Sequence, residues 1–186
     1  MKSHRITSGI FIVEDFLDEE ECRHYIQLSE EIGYEAATVN THGGARVVEA
    51  VRNNRRAFHN SPELAQSWWI RAKKFVPAQL GNSLAIGFNE LFRFYQYGVG
   101  HRFKKHADES YARNHEESSY FTFMVYLNDD FNGGETRFRE HEIVPKRGTA
   151  LFFLHSLEHE GSEVSQGTKY VLRTEVMYRL VNNQID

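Results

Sequence analysis

The sequence predicts an α+β fold dominated by a double-stranded β-helix (a jelly-roll barrel) with helices packed on one outer face. Three observations predict it. Two capped helix starts lie in the first half, and from Leu91 onward the chain changes to short alternating runs broken by glycine or Asn-Asp. Phe 14 and Tyr 9 also make it rich in residues that favour strands. At 186 residues the economical reading is a single domain, 1–186. Within it, 1–90 reads as a helical buttress with N-terminal strands and 91–180 as the jelly-roll core.

Asp18-Glu19-Glu20-Glu21 is an N-cap with an acidic residue at the third helical position, and Cys22, Tyr25, Ile26 and Ile32 then form a helical stripe. Ser61-Pro62 is a second start, a cap followed by proline at the first helical position. Leu64, Trp68, Ala72, Phe75 and Val76 follow on one face. Strands are expected at 91–97, 101–108, 119–127, 135–138, 142–145, 149–154, 159–164 and 169–179, and eight short strands suit a jelly roll. In the third of these, Tyr120, Thr122, Met124 and Tyr126 form a mixed face suited to a polar-lined interior. Phe121, Phe123, Val125 and Leu127 form a wholly apolar face suited to packing under helices.

Lys+Arg 22 against Asp+Glu 26 leaves a charge of −4, which argues against a general grip on nucleic acid or an anionic membrane. The single cysteine, Cys22, permits no internal disulfide and fits a reducing compartment. The run Ile10 to Val13 is too short for a signal peptide or a membrane span, so a cytoplasmic protein is expected. Nothing in the sequence speaks to oligomeric state.

The chemistry-bearing stretch is His106-Ala107-Asp108, followed by His159 and Lys169. Two imidazoles and a carboxylate can cap one face of an iron(II) ion and leave other positions open. A His-x-acid pair is weak by itself; with ten histidines about one arises by chance. A second does occur, His115-Glu116-Glu117, but it sits in the polar stretch Asn114 to Ser119, which reads as a solvated loop. In a strand, residues i and i+2 share a face, so His106 and Asp108 can reach one ion. His155 and His159 compete for the third position; His159 stands at the better distance from a cation on the last strand, and His155 reads as a local packing or hydrogen-bonding residue. On that strand Lys169 and Arg173 share a face. Periodicity alone leaves two readings open, an inward anion-binding lysine or a solvated face with Arg173 bridging Glu175.

The C-terminal half resembles the iron(II)- and 2-oxoglutarate-dependent dioxygenases, in their prolyl 4-hydroxylase-like branch. The likeness is carried by Tyr97-Gly98-Val99-Gly100-His101-Arg102-Phe103-Lys104-Lys105-His106-Ala107-Asp108, by Tyr126-Leu127-Asn128, and by Gly133-Gly134-Glu135-Thr136-Arg137-Phe138. Gly148-Thr149-Ala150-Leu151-Phe152-Phe153 and His159…Val164…Gly167-Thr168-Lys169 complete it. Order and spacing together make the match specific where each piece is not. The resemblance implies that His106, Asp108 and His159 bind iron(II) and carry catalysis. It also implies that Lys169 pairs with the C5 carboxylate of 2-oxoglutarate, and that Tyr97 and Tyr126 contact that cosubstrate. Dioxygen is the oxidant it implies, with ascorbate as a candidate auxiliary. Thr136 is expected to support the site from behind. Two positions depart from the branch: Phe103 stands where many members have tyrosine, and Val176-Met177-Tyr178 where many place a tryptophan. Both bear on the prolyl substrate and neither touches the metal chemistry.

The expected partner is a peptide or small-molecule substrate. Hydroxylation of a prolyl or other protein side chain competes with oxidation of a free amino acid or metabolite, and with a non-catalytic sensor of metal or 2-oxoglutarate. A zinc-binding cupin-like module, which needs no Lys169, is the outlier. Arg52-Asn53-Asn54-Arg55-Arg56 is either part of a substrate rim or, as favoured here, a solvated turn with a capped backbone. Residues 38–60 and 109–118 are candidate loops beside a substrate groove. Lys104 and Lys105 read as edge charges, and the acids at 18–21 and 116–117 as solvated faces.

Overall fold

A computed structural model of the chain describes residues 1–41 and 44–181; residues 42 and 43 of the expected 38–60 loop lie outside that range. The principal strands are β1 (Lys2–Thr7), β2 (Ile10–Glu14), β3 (Arg55–Asn60), β4 (Ser83–Phe88), β5 (Leu91–Tyr97) and β6 (Phe103–His106). They continue as β7 (Glu117–Tyr126), β8 (Thr136–Phe138), β9 (Glu142–Ile143), β10 (Ala150–Leu154), β11 (His159–Gly161) and β12 (Lys169–Leu180). Two helices, α1 (Glu19–Ile32) and α2 (Pro62–Ala72), complete a mostly β architecture.

The major sheet runs β1-β2-β10-β7-β12-β5-β3, with Glu35–Ala36 beyond β3. The long strand β12 organises it: one side pairs with β7, while the other pairs with β5 through Lys169–Arg173 and then with β4 through Val176–Leu180. A minor sheet runs β6-β11-β8-β9. Both helices cover one face of the major sheet, where Phe121, Phe123, Val125 and Leu127 meet Cys22, Ala65, Trp68 and Ala72. Met124, Tyr126, Leu151, Phe153 and Val171 of the other face pack with Ile143, Phe103 and Phe138 from the minor-sheet side. The two faces expected of β7 therefore separate as read, with Tyr120 the exception: a register shift between Ser119 and Phe121 accompanies its exposure.

The helix starts are as expected. Asp18 accepts from the Glu21 amide at 2.8 Å while Glu21 Oε2 accepts from the Asp18 amide at 2.9 Å, and Ser61 accepts from the Leu64 amide. The α1 stripe needs one correction, because Ile32 is 40% exposed and Ser29 takes a buried place. Ser29 tolerates burial because its hydroxyl donates to the Ile26 carbonyl and accepts from Tyr34. Trp68 anchors α2, 2% exposed, in edge contacts with Phe16, Phe92 and Phe123 at 5.5–5.6 Å between ring centres. Trp68→Ala should destabilise the fold by about 3–5 kcal/mol in urea titration, with the slope of the transition preserved.

Several boundaries shift. The 101–108 strand is confined to 103–106, and 159–164 divides into 159–161 and 164–166. β7 starts inside the stretch read as a loop, although His115 itself is exposed. Glu117 is buried rather than solvated because Arg113 and Arg179 hold its carboxylate at 2.9 and 2.6 Å. Among the described residues no helix is long and apolar enough to cross a membrane.

Candidate metal centre

β6 and β11 are neighbours in the minor sheet, and their register places His106 directly opposite His159, with ring centres 4.3 Å apart. Each imidazole is oriented by its own backbone. His106 Nδ1 lies 2.8 Å from the Lys104 carbonyl and His159 Nδ1 lies 3.0 Å from the Leu157 carbonyl. A carbonyl can only accept, so both Nδ1 atoms carry hydrogen and both Nε2 atoms present lone pairs. Those Nε2 atoms each stand 3.8 Å from an oxygen of Asp108, and the three donor atoms lie within 4.8 Å of one another. Burial pushes the His106 imidazole down to about 4, helped by His159, and lowers His159 as well. Both rings are therefore neutral near pH 7, the form that ligates a metal.

Asp108 reaches the pair for a reason the strand pattern does not contain. It lies beyond the end of β6, and its amide donates to the His155 carbonyl at 3.1 Å. Its carboxylate accepts from the Thr122 hydroxyl and pairs with Arg173 at 3.0 Å. Burial works to raise that carboxyl's pKa, but Arg173, His159 and Thr122 outweigh it and hold the group ionised, well below the usual range. His155 stands behind, with Nδ1 3.1 Å from the Thr122 hydroxyl and Nε2 2.9 Å from Ser119. It contacts the residue that orients Asp108, in keeping with the local role read for it. The donor set, its fixed tautomers and its neutral rings fit a divalent transition metal.

The cavity that all three residues line is also lined by Lys169, Tyr97 and Thr136. Lys169 is paired in register with Tyr97 and is 3% exposed. Its Nζ donates to the Gly134 carbonyl at 2.5 Å and lies 5.2 and 5.4 Å from the ring centres of Tyr97 and Tyr126. Among the described residues Lys169 forms no ion pair, and burial pushes its ammonium down to about 7. Arg173 is committed elsewhere, to Asp108, the Tyr95 hydroxyl and, at 3.8 Å, Glu175. The solvated-face reading of this strand is thus overturned: both cations point inward, and Lys169 is without an ion pair among the described residues. Tyr126 does not line the cavity. Its hydroxyl meets Thr136 Oγ1 at 2.7 Å, so Thr136 stands between it and the open space.

The solvated-turn reading of Arg52–Arg56 is also overturned. Arg52 is buried at 6% exposure, and Arg55–Arg56 open β3. Asn53 joins the segment to the approach of β6 by donating to the Gly100 carbonyl and accepting from the Arg102 amide. Asn54 Oδ1 accepts from Arg52 Nε at 2.6 Å. The Arg52 guanidinium lies over Phe103 at 4.4 Å and over Tyr95 at 4.6 Å, and Phe103 stacks on His106 at 3.5 Å. Tyr95, absent from the sequence reading, lines the same cavity. Burial raises its phenol, but Arg173, Arg52 and Arg93 overcome that and leave it at about 8. Its place in an alternating aromatic strand, Leu91-Phe-Arg-Phe-Tyr-Gln-Tyr97, held the signal of an inward face but not of the arginines around it.

Two neutral imidazoles and an ionised carboxylate converging on one cavity are the residue types that a 2-His-1-carboxylate centre uses. Residues 92–174 match the family described as the 2OG-Fe(II) oxygenase superfamily, and the chain is similar to its prolyl 4-hydroxylase branch. "Probable prolyl 4-hydroxylase 8" of Arabidopsis thaliana is 27% identical over 135 residues, 69% of this chain and 44% of the plant protein, so the chain spans less than half that relative's length. Among solved structures, a viral collagen prolyl hydroxylase from Paramecium Bursaria Chlorella virus-1 in its 2OG complex superposes with a TM-score of 0.65 at 19% identity, covering 93% of this chain and 97% of that one. A Trichoplax adhaerens prolyl hydroxylase in complex with a hypoxia inducible factor peptide fragment gives 0.67 at 18% identity, covering 91% and 84%. A Pseudomonas putida prolyl-4-hydroxylase gives 0.62 at 17%, covering 94% of each chain. At these identities the structural likeness speaks for the fold.

Proposed function

We propose that this protein is an iron(II)- and 2-oxoglutarate-dependent dioxygenase that hydroxylates an unactivated C–H bond, with a prolyl or other protein side chain as the leading substrate. One observation carries the reading: three preset metal donors and a buried lysine that, among the described residues, forms no ion pair line one cavity. In this reading the two facing sheets form a jelly roll, with 91–180 as its catalytic core and 1–90 as the buttress of a single domain.

When bound, iron(II) and 2-oxoglutarate supply the oxidising chemistry, consuming dioxygen and releasing succinate and carbon dioxide. The chain's own residues bind and orient. His106, Asp108 and His159 hold the metal; Thr122 and Arg173 fix the Asp108 carboxylate. Lys169 receives the C5 carboxylate of 2-oxoglutarate, because a buried ammonium without an acid is satisfied by one. Tyr97 forms the wall beneath that ammonium, its phenol pushed up to about 12 by burial and so kept protonated as a donor. Tyr126 acts through Thr136, whose hydroxyl it contacts. Phe103 brings a flat apolar face against His106 where a tyrosine would bring a hydroxyl.

A peptide substrate is supported by the company the chain keeps: the Trichoplax relative is in complex with a peptide fragment. Oxidation of a free amino acid or metabolite shares every step above and stays the second reading. A sensor without turnover is disfavoured by retention of the whole constellation. The test is succinate formation from 2-oxoglutarate with iron(II), ascorbate and oxygen, with and without candidate peptides, using His106→Ala as control. Succinate that depends on His106 is the expected result, and its absence even when peptides and metabolites are supplied would remove the oxygenase reading.

A further inference from the structure

We propose that the prime substrate presents a carboxylate and that Arg52 receives it, in the open cavity beside the metal donors; this rests on the oxygenase reading of the same site. The cavity has a volume of about 390 Å³, the size of a small-ligand site. His106 and Asp108 line it together with four arginines, Arg52, Arg56, Arg93 and Arg173. Three of these have acids: Arg56 with Glu35 at 3.1 Å, Arg93 with Glu175 at 2.6 Å and Arg173 with Asp108 at 3.0 Å. Among the described residues Arg52 forms no ion pair. Its Nε meets the neutral amide of Asn54, its guanidinium also hydrogen-bonds the neutral Tyr95 phenol, and among the described residues its Nη2 is buried with no hydrogen-bond partner.

A buried arginine without an acid is an expensive arrangement, since removing a guanidinium from water costs several kcal/mol unless a counter-charge replaces the solvent. The site is nevertheless built to keep it there. Phe103 and Tyr95 hold the guanidinium by their ring faces, and Asn54 fixes its rotation. Asn53 fastens the segment that carries it. A cation so oriented loses little freedom when it binds, and its planar nitrogen fork is suited to a carboxylate. With the other three arginines already paired, Arg52 is balanced by a single negative charge, which a carboxylate supplies and a phosphate dianion exceeds. Position agrees with purpose. Phe103 touches both groups, the His106 ring at 3.5 Å and the Arg52 guanidinium at 4.4 Å. A carboxylate held by Arg52 therefore anchors its molecule a few bonds from the metal position. A free amino acid derivative and the end of a peptide chain offer the same group.

The test is anaerobic calorimetry on protein loaded with manganese(II) and saturating 2-oxoglutarate. The probes are matched pairs: N-acetylproline and N-acetylglutamate against their carboxamides, and proline-containing pentapeptides with free against amidated C-termini. The expected result is that in at least one pair the acid binds tenfold or more tightly than its amide, about 1.4 kcal/mol. That ratio should fall below threefold in Arg52→Met and be partly kept in Arg52→Lys. Which pair shows it distinguishes a free acid from a chain terminus. Equal binding of acids and amides, no binding by any probe, or a full ratio in Arg52→Met would each overturn the proposal. If Arg52→Met does not fold, the wild-type ratio together with its weakening in Arg52→Lys decides. The preceding titration with 2-oxoglutarate alone reads the parent assignment separately: if it fails to bind, the oxygenase reading fails, while the acid-to-amide ratio is still measured on the manganese form.

Discussion

Asp108→Ala should leave no measurable succinate formation and should purify anaerobically with little iron. Partners that merely orient metal ligands commonly cost 10–100-fold when removed, so loss of a ligand itself should cost about a thousandfold or more. The carboxylate has a second role beside the proposed ligation. It is the near acid of Arg173, whose other contacts are the Tyr95 hydroxyl and a more distant Glu175. Deleting it leaves a buried guanidinium undercompensated, a loss of roughly 3–5 kcal/mol where no other partner takes over. Asp108→Asn softens the second effect, because the amide fills the same space and keeps an oxygen that accepts from Thr122 and the Arg173 guanidinium, although the charge is lost. Both variants should lose iron, and the asparagine variant should melt closer to the parent. Near-normal activity in either purified variant would remove Asp108 from the metal site.

The parts of the molecule that were legible in sequence are those governed by local rules. The Asp18 and Ser61 caps are written into a few consecutive residues, and the apolar side of β7 follows from strict alternation. The chain of spaced motifs brought His106, Asp108, His159 and Lys169 to one cavity as expected. The rest depends on distant partners. Glu117 and Arg52 look like solvated charges until Arg179 closes over one and Phe103 and Tyr95 enclose the other. β3, with sequence RRAFHN, has little apolar alternation, yet it pairs along its whole length with β5 because β5 offers an open edge. Asp108 comes to lie beside His106 and His159 for a reason other than the one alternation offered. Alternation within a strand was to carry it to the metal face, but the strand ends at His106, and a backbone bond to His155 and side-chain bonds to Thr122 and Arg173 do the orienting.

Lys169→Ala should raise the 2-oxoglutarate requirement about 10–100-fold while leaving iron content near normal. A hydrogen bond to a charged group is worth about 1.5–3 kcal/mol, which sets that range. Arg173→Ala should instead lose metal through Asp108, so the two cations are distinguished by which binding they disturb. The burial that marks Lys169 also predicts a pH signature. Its pKa in the free protein is pushed down to about 7 by burial, against about 10.4 for an exposed lysine. The ammonium that binds the carboxylate is thus depleted as pH rises past 7, and the 2-oxoglutarate requirement should climb by up to about tenfold per pH unit above it. Stability should move in the opposite sense. Between about 7 and 10.4 the unfolded chain binds the proton that the folded protein gives up, so this group's contribution to stability increases with pH across that window. Lys169→Arg holds its charge throughout and should bind 2-oxoglutarate less well in geometry but without the pH slope. A 2-oxoglutarate requirement flat from pH 6.5 to 9 in the parent protein would show that Lys169 is not the group that receives the carboxylate. A slope abolished by Lys169→Arg would show that it is.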